Sequence, residues 1–263
     1  MMIRGVRNLP FFLIGLVLGA GLANPIAVAQ SAAEITVSAA ISLKDSLEEI
    51  GKAYRGEKPG VTVHFNLGAS GTLQQQIEQG APVDVFISAS PTQMNTLESK
   101  GLIEPGTRKD LVKNKLVLIV PKGKTGVSSF QDLAHPGVKI IAIGEPQAVP
   151  AGRYAQEVLA YFGLHEQLKP KLVLGKDVRQ VLTYVATGNA DAGIVYITDA
   201  LTTKDVTVVA TAPDDSHSPV VYPVAAIKSS QNPAAAKAFI EFLRGPKARA
   251  IFTKYGFVPA GGS

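Results

Sequence analysis

Gly144-Glu-Pro-Gln-Ala-Val-Pro-Ala-Gly-Arg-Tyr154 joins a predicted buried strand to a predicted helix. Pro150 suits the first helical position, because the N–H that proline lacks would have no partner there. After it, apolar residues recur at helical spacing on one face, and Gly163 then ends the helix: Ala155, Val158, Leu159 and Phe162. The stretch therefore predicts a strand, a loop and an amphipathic helix in direct succession.

The start of this helix has no side chain to cap it. Val149 occupies the capping place and carries no oxygen that could accept the unpaired N–H groups of the first turn. Ala151 and Gly152 are small enough for a ligand to come close, and a helix N-terminus favours negative charge. The stretch predicts either an anion site or a turn that water satisfies, and both interpretations stay open on these residues alone.

Strand and helix patterns alternate along the rest of the chain. Predicted strands lie at residues 35–39, 61–65, 83–88, 138–143, 171–174, 192–196 and 206–210. Helices between them imply right-handed crossovers and parallel sheets, and hence an α/β fold. Residues 116–121 are interpreted as a strand crossing into a second domain, and residues 220–227 as a strand crossing back. This predicts a discontinuous first domain, residues 30–117 with 223–263, and a second domain, residues 118–222.

The first 29 residues have the pattern of a secretory signal. Arg4 and Arg7 precede an apolar run over residues 11–22, and Ala27-Val-Ala29 predicts cleavage after Ala29. The apolar run is short for a membrane span, no second run of spanning length follows, and no cysteine is present to carry a lipid. We therefore expect a mature chain of residues 30–263, which is 234 residues, in an exported compartment.

Composition argues against several functions. Removing Arg4 and Arg7 leaves 24 basic against 21 acidic residues, a net charge of +3 without a basic run, so we expect no nucleic-acid partner. The chain has no cysteine, and its four histidines are scattered without metal-ligand spacing. We therefore expect neither disulfides nor a bound metal cation.

Strand-to-helix turns of similar character occur at residues 40–43, 68–71, 149–152 and 176–178. In parallel sheets such turns lie together at the C-terminal edge of the strands, where open α/β proteins bind ligands. Each helix start acts as roughly half a positive charge, so four would offset about two negative charges. Hydroxyl groups of Ser42, Ser70 and Tyr196 could add donors, whereas Ala151 and Val178 could act only through their backbone N–H groups.

These residues also have ordinary structural interpretations. Ser42, Ser70 and Asp177 stand where N-caps occur, and Tyr196 could be a core residue. Arg153 and Arg179 lie in first helical turns and are expected to be exposed to solvent. The prediction of an anion site therefore depends on the shared location of the turns and not on any single residue.

Several motifs in order resemble the periplasmic molybdate-binding proteins of molybdate ABC importers, which are type II solute-binding proteins. The likeness covers residues 35–257 and is carried by Ala39-Ala-Ile-Ser-Leu43, Ser70-Gly-Thr-Leu73, Gly80-Ala-Pro-Val-Asp-Val-Phe-Ile-Ser-Ala89, Val149-Pro-Ala-Gly-Arg-Tyr-Ala155, Asp177-Val-Arg179, Gly193-Ile-Val-Tyr196 and Lys254-Tyr-Gly-Phe257. The resemblance implies a two-domain type II periplasmic binding protein fold. Each domain would be a mixed, mostly parallel sheet flanked by helices, and two hinge strands would join them.

The resemblance also implies a ligand set and a function. The oxyanion ligands would be the hydroxyls and nearby N–H groups of Ser42 and Ser70, the backbone N–H groups of Ala151 and Val178, and the hydroxyl of Tyr196. Molybdenum would be held only as molybdate, with tungstate as an alternative ligand, and no cofactor is expected. The protein would be a periplasmic monomer that delivers its ligand to an inner-membrane ABC permease and catalyses no reaction.

Two residues depart from the family pattern, and three other functions stay open. Gly71 stands where a small hydroxyl residue is expected, and Arg153 where an apolar residue is expected. Another oxyanion, such as sulfate or phosphate, is one alternative ligand, and ferric ion held by Tyr196 and Tyr222 is a second. A secreted serine hydrolase using Ser70 is the third alternative, although no histidine can be assigned as its base.

Overall fold

The computed structural model describes Gly5 and residues 33–261. Apart from Gly5, the predicted signal segment with its cleavage after Ala29 lies outside the described residues. The helices and strands below all lie in one compact unit, Ala32–Ser263. None of the described helices is both long and apolar enough to cross a membrane.

The strands follow the predicted pattern closely, with two additions, β4 and β11. They are β1 (Ala33–Ala40), β2 (Val61–Gly68), β3 (Val85–Ile87), β4 (Lys109–Lys113), β5 (Leu116–Pro121), β6 (Ile141–Gly144), β7 (Leu172–Gly175), β8 (Ala192–Tyr196), β9 (Val206–Thr211), β10 (Val221–Ala226) and β11 (Val258–Pro259).

Helices connect most of these strands, and short 3₁₀ turns occupy residues 41–43, 131–134 and 169–171. The α-helices are α1 (Lys44–Glu57), α2 (Ser70–Glu78), α3 (Pro91–Ser99), α4 (Pro150–Tyr161), α5 (His165–Leu168), α6 (Val178–Ala186), α7 (Ile197–Ala200), α8 (Pro233–Arg244) and α9 (Pro246–Lys254). Proline is the first residue of α3, α4, α8 and α9, as its missing N–H favours.

Two mixed sheets form the body of the protein. Within residues 33–261, a six-stranded sheet has the order β11-β4-β10-β3-β1-β2, and a five-stranded sheet has the order β7-β6-β8-β5-β9. We call the first sheet with its helices the first lobe and the second sheet with its helices the second lobe. The predicted α/β fold with two mixed sheets is confirmed.

Parallel pairing is confined to one side of each sheet. In the first lobe β1 pairs in parallel with β2 and β3, and in the second lobe β6 pairs in parallel with β7 and β8. The remaining pairs, β3–β10, β4–β10, β4–β11, β5–β8 and β5–β9, are antiparallel. The sheets are therefore mixed but less parallel than expected, because β10 in the first sheet and β5 in the second run antiparallel to both of their neighbours.

The passages between the lobes differ from the prediction. β5 was expected to cross between domains, but it pairs along its length with β8 and β9 and lies wholly in the second sheet. The chain instead changes sheet at Asn114-Lys115, after β4, and returns between β9 and β10. The predicted boundaries at 117/118 and 222/223 thus fall inside β5 and β10, and the division into domains stays a prediction.

Burial explains why β5 was misread. It is an interior strand whose residues 116–120 are fully buried, so it appears in the sequence as one continuous apolar run. β4 carries charges at Lys109, Asp110 and Lys113, which conceal its strand pattern. The chain thus leaves the first sheet at Asn114, which is buried, and we call this residue the hinge.

Candidate functional site

The C-terminal ends of parallel strands from both lobes meet around one small cavity. The cavity has a volume of about 10 Å³ and is lined by Ala40, Ile41, Ser42, Gly68, Ala69, Ser70, Ala89, Val149, Pro150, Ala151, Val178 and Tyr196. All five predicted ligand residues are in that set. The volume is smaller than the roughly 300–1,000 Å³ of sites for drug-sized ligands, so the cavity suits a small ion.

Ser42 lies in the 3₁₀ turn Ile41–Leu43 that follows β1. The prediction that it caps a helix is wrong, because the N-cap of the turn is Ala40 and that of α1 is Leu43, and neither start has a side-chain cap. The Ser42 hydroxyl is instead 3.0 Å from the phenol oxygen of Tyr222, and both residues are buried. This contact holds the hydroxyl at the cavity wall.

Ser70 is the first residue of α2, so it also does not act as the N-cap. The capping position is Ala69, which has no side-chain hydrogen bond. The Ser70 hydroxyl oxygen accepts a 3.0 Å hydrogen bond from the backbone N–H of Ala89, beyond the end of β3. Ser70 is fully buried, and its own hydroxyl proton is left to point elsewhere.

In the second lobe, Ala151 and Val178 occupy helix starts. Val149 is the N-cap of α4 and provides no side-chain hydrogen bond, as predicted. The next two N–H groups of α4, at Gly152 and Arg153, already bond to the Val149 carbonyl. Ala151 precedes these bonded donors, in the part of the turn where a helix supplies no acceptor.

Val178 begins α6 behind a capped position. Asp177 is the N-cap, as one interpretation of the sequence predicted, and its carboxylate accepts a 2.9 Å bond from the Gln180 N–H. This bond occupies Asp177 Oδ1 within its own helix turn. The Val178 N–H lies ahead of the capped donor and is positioned, like that of Ala151, to serve a ligand in the cavity.

Gly152 has a different use from the one expected. A Cβ atom on Gly152 would lie 2.0 Å from the Gly144 carbonyl oxygen, so its small size lets α4 start directly against the end of β6. Close approach of a ligand to Gly152 is not needed to explain this residue. Packing of helix on strand is what sets the position of the neighbouring Ala151 N–H.

Tyr196 supplies the most specific polar atom of the cavity. It ends β8, is 1% exposed, and its phenol oxygen has no hydrogen-bond partner among the described residues. Buried hydroxyl groups normally find a partner. Burial raises the pKa of Tyr196 well above its ordinary value, so the phenol is a neutral O–H donor at physiological pH.

The two arginines near the cavity are not simply exposed, as the sequence interpretation held. Arg153 donates to Ser90 Oγ at 2.8 Å and to Thr92 Oγ1, both in the first lobe. Arg179 contacts Asp199 Oδ1 in its own lobe and Asp45 Oδ2 in the first lobe, each at 2.6 Å. Both side chains therefore bridge the lobes beside the cavity without lining it.

The ferric-ion and hydrolase alternatives each need specific side chains at the cavity. No cluster of three or more metal-ligating His, Asp or Glu side chains occurs in the described part of the chain. Burial raises the pKa of both Tyr196 and Tyr222, which disfavours the phenolates that ferric ion would need. Three of the histidine rings form hydrogen bonds with Gly137, Glu166 and Ser218, and among residues 33–261 no hydrogen bond joins a histidine to Ser70.

Several residues of the site escaped the sequence interpretation. Asn114 is the hinge residue, and its side-chain amide contacts Thr198 Oγ1 at 2.8 Å and Tyr222 Oη at 3.2 Å. Tyr222 was considered only as an iron ligand. A lone Asn before a strand has no distinguishing pattern; a signal for Tyr222 was its place, as a polar group, within the apolar run of residues 220–227.

Known proteins are similar to this chain over most of its length. The family model described as bacterial extracellular solute-binding protein matches residues 35–258. Protein YvgL of Bacillus subtilis strain 168, provisionally named an ABC transporter substrate-binding lipoprotein, is 47% identical over 85% of each chain. The molybdate-binding protein ModA of Escherichia coli strain K12 is 42% identical over 90% of this chain and 95% of its own.

A solved structure extends the likeness to the whole fold. The periplasmic molybdate-binding protein of Azotobacter vinelandii superposes with a TM-score of 0.78 and is 30% identical. The match covers 86% of this chain and 100% of that one. The two-lobed arrangement described above is thus shared with that protein.

Proposed function

The chain belongs to the bacterial extracellular solute-binding proteins, and from this premise we propose that it binds molybdate between its two lobes. It delivers the ion to an ABC permease in the inner membrane, and tungstate is an alternative ligand. The named relatives support this ligand, since one from Escherichia coli and one from Azotobacter vinelandii are molybdate-binding proteins. The reaction is binding and release, and no bond is made or broken.

One observation carries the proposal: a fully buried, unpartnered phenol lies among donors in one small cavity. Tyr196 Oη has no partner among residues 33–261 and faces a cavity that Ser42 and Ser70 also line. The backbone of Ala151 and Val178 completes the donor set. A buried donor without an acceptor is unfavourable unless a ligand supplies the acceptor.

Electrostatics favours a doubly charged oxyanion over other ligands. No lysine or arginine is among the described residues that line the cavity. Positive potential comes from the starts of α2, α4 and α6 and from the turn before α1, each worth up to roughly half a charge. Donors alone suit a fully ionised anion and penalise a protonated phosphate, whose O–H needs an acceptor.

Export and assembly complete the proposal. Residues 1–29 form a signal that is cleaved after Ala29, and the mature protein is a periplasmic monomer without cofactor or catalytic activity. It has a discontinuous first domain and a second domain, with the changes between them placed at Asn114-Lys115 and between β9 and β10. The family's description as extracellular supports the export step.

A thermal-shift panel tests the ligand directly. The protein is heated with molybdate, tungstate, sulfate, phosphate or ferric ion, and a ligand bound only by the folded state raises Tm. We expect molybdate and tungstate to give the large shifts, since saturation at a hundred times Kd adds about 2.7 kcal/mol. A shift with ferric ion alone, or with phosphate in preference to molybdate, would contradict the proposal.

Serine-to-alanine variants test the site residues. Ser42→Ala and Ser70→Ala are each expected to weaken molybdate binding by roughly 1.5–3 kcal/mol, about ten- to a hundredfold, because a hydrogen bond to a charged ligand is lost. Calorimetry measures the affinities. Ser46→Ala is the matched control, since Ser46 is buried in α1 but bonds only to the Leu43 carbonyl. Unchanged affinity in both site variants would refute the assignment.

Gly71 gives a further prediction, because backbone of the first lobe meets backbone of the second lobe there. Its N–H donates a 2.9 Å hydrogen bond to the Ala148 carbonyl of the second lobe, and a Cβ would lie 2.7 Å from that oxygen. Gly71→Ala should therefore oppose lobe closure and weaken molybdate binding by about 1–3 kcal/mol. The Tm of the ligand-free protein should change little.

Thr72→Ala is the control for this variant, because Thr72 is exposed in the same helix. Its affinity should equal that of the unmodified protein. Calorimetry showing full affinity in Gly71→Ala would mean that the ligand does not require the close contact at Ala148.

A further inference from the structure

A chain of hydrogen bonds runs from the hinge to the cavity. Asn114, between β4 and β5, places its side-chain nitrogen 3.2 Å from Tyr222 Oη, which in turn is 3.0 Å from Ser42 Oγ. Asn114 and Ser42 are at most 9% exposed, and Tyr222 is fully buried. Water therefore has little opportunity to replace any of these bonds.

The donor-to-acceptor direction of these hydrogen bonds is fixed at Asn114. Its side-chain oxygen accepts a 2.9 Å bond from the backbone N–H of Lys115, so the amide group cannot be reversed without losing that bond. The NH₂ group must then face Thr198 and Tyr222. Tyr222 Oη consequently acts as an acceptor toward the hinge.

The same reasoning continues at Tyr222. The phenol has one proton, and Ser42 Oγ is the acceptor that lies within hydrogen-bond distance among the described residues. If Ser42 donated instead, the Tyr222 O–H would be buried without an acceptor, which is unfavourable. Burial raises the pKa of Tyr222 far above its ordinary value, so this proton is retained.

Ser42 therefore accepts from Tyr222 and keeps its own proton for the cavity. Ser70 is held in a similar way, because the backbone N–H of Ala89 can only donate to it. Both serine hydroxyls are therefore left to donate their protons to the cavity. The backbone N–H that fixes Ser70 cannot be removed by a side-chain substitution, but the side chains of Asn114 and Tyr222 that fix Ser42 can be replaced and tested.

We propose that Asn114 and Tyr222 are positioning residues that fix the Ser42 hydroxyl as a hydrogen-bond donor to the bound oxyanion. This inference rests on the proposed function, since it concerns the same cavity. Asn114 would thus both join the lobes and hold the Ser42 hydroxyl in the orientation in which it donates a hydrogen bond to the ligand.

A double-mutant cycle between Tyr222 and Ser42 tests the proposal, with molybdate as the probe and calorimetry as the measurement. Tyr222→Phe keeps the ring and removes the hydroxyl, and it should weaken molybdate binding about tenfold. In a Ser42→Ala background the same change should have almost no effect, because the group it positions is gone. Tyr154→Phe, which removes a buried phenol bonded to the Pro219 carbonyl, is the matched control.

Reversing the polarity at Asn114 gives a second test. Asn114→Asp replaces the donor by an acceptor, so the Tyr222 O–H should turn toward the hinge and draw the Ser42 proton away from the cavity. We expect about a hundredfold weaker binding, against a smaller loss for Asn114→Ala, which only removes the donor. Asn114→Asp is then repeated in the Tyr222→Phe background, which keeps the added charge but removes the hydroxyl that links residue 114 to Ser42. There the loss of molybdate affinity caused by Asn114→Asp should be about tenfold less.

The outcomes separate the positioning of Ser42 from the proposed function. Suppose that the unmodified protein binds molybdate, but that Tyr222→Phe leaves the affinity unchanged or that the losses from Tyr222→Phe and Ser42→Ala simply add. Either result overturns the proposed positioning of Ser42 by Asn114 and Tyr222 and leaves the proposed function standing. Absence of molybdate binding by the unmodified protein overturns the proposed function and the positioning with it. If Asn114→Asp does not fold, the Tyr222 and Ser42 cycle decides alone.

Discussion

Replacing Arg179 by methionine is expected to lower the free energy of unfolding by about 3–5 kcal/mol, because it leaves a buried charge without its partner. Arg179 Nε lies 2.6 Å from Oδ1 of Asp199, which is fully buried. The other carboxylate oxygen of Asp199, Oδ2, has no hydrogen-bond partner among the described residues. Urea unfolding followed by circular dichroism measures the loss.

The deficit of this variant should depend on pH. Burial raises the pKa of the Asp199 carboxyl from 3.8 to about 6, although Arg179 lowers it, so the pKa should rise further in the variant. A carboxyl whose pKa is higher when folded contributes stability below its unfolded pKa, and that contribution is lost as pH rises through the folded value. The deficit should therefore be smallest and constant below about pH 6, where Asp199 is protonated in both folded proteins, and grow as pH rises from about 6 toward the higher folded pKa of the variant.

Asp199→Asn in the Arg179→Met background is the control, since it removes the titrating group and should make the remaining deficit nearly independent of pH. Asp45→Asn separates the other arm of Arg179, which reaches the first lobe at 2.6 Å. Asp45 is partly exposed, so its contribution is small, and molybdate binding should weaken by no more than about fivefold. An Arg179→Met variant as stable as the original protein at neutral pH would contradict the whole account.

Apolar patterning predicted most of the fold. The apolar face of α4 repeats at helical spacing, and β6 and β8, which are buried at every residue, appear as short apolar runs. β4 was missed because the charged residues Lys109, Asp110 and Lys113 flank its two buried residues, Leu111 and Val112. The passage between the lobes was misplaced because an interior strand and a crossing strand are both uniformly apolar.

The positions around the cavity were easier to predict, from helix starts and strand ends, than the hydrogen-bond roles of individual side chains. The uncapped start at Val149 and the shared edge of the parallel strands placed Ala151, Val178 and Tyr196 around one cavity. Roles that depend on long-range partners could not be predicted. Ser42 bonds to a residue 180 positions away, and Arg179 to one 134 positions away. Neither contact produces a pattern in the neighbouring sequence, so both roles were missed.

Gly152→Ala is expected to have the second largest effect, because the contact it disturbs is between two backbone segments. An added Cβ would lie 2.0 Å from the carbonyl oxygen and 2.5 Å from the carbonyl carbon of Gly144, which no side-chain rotation can relieve. Either α4 or the end of β6 must move. Overpacking of this kind costs about 3 kcal/mol, which for a protein of this size lowers Tm by about 6–12 °C.

The same displacement should reach the ligand, since Ala151 and Gly152 are consecutive residues of one helical turn. Molybdate binding should therefore weaken together with stability, whereas Gly71→Ala should weaken binding alone. Gly56→Ala is the contrasting control: Gly56 lies in α1 with nothing within 4 Å of an added Cβ, so that change should raise stability by about 0.4–1 kcal/mol. A Gly152→Ala variant with an unaltered Tm would mean that α4 can slide along β6, and the fixed position assigned to the Ala151 N–H would then be untenable.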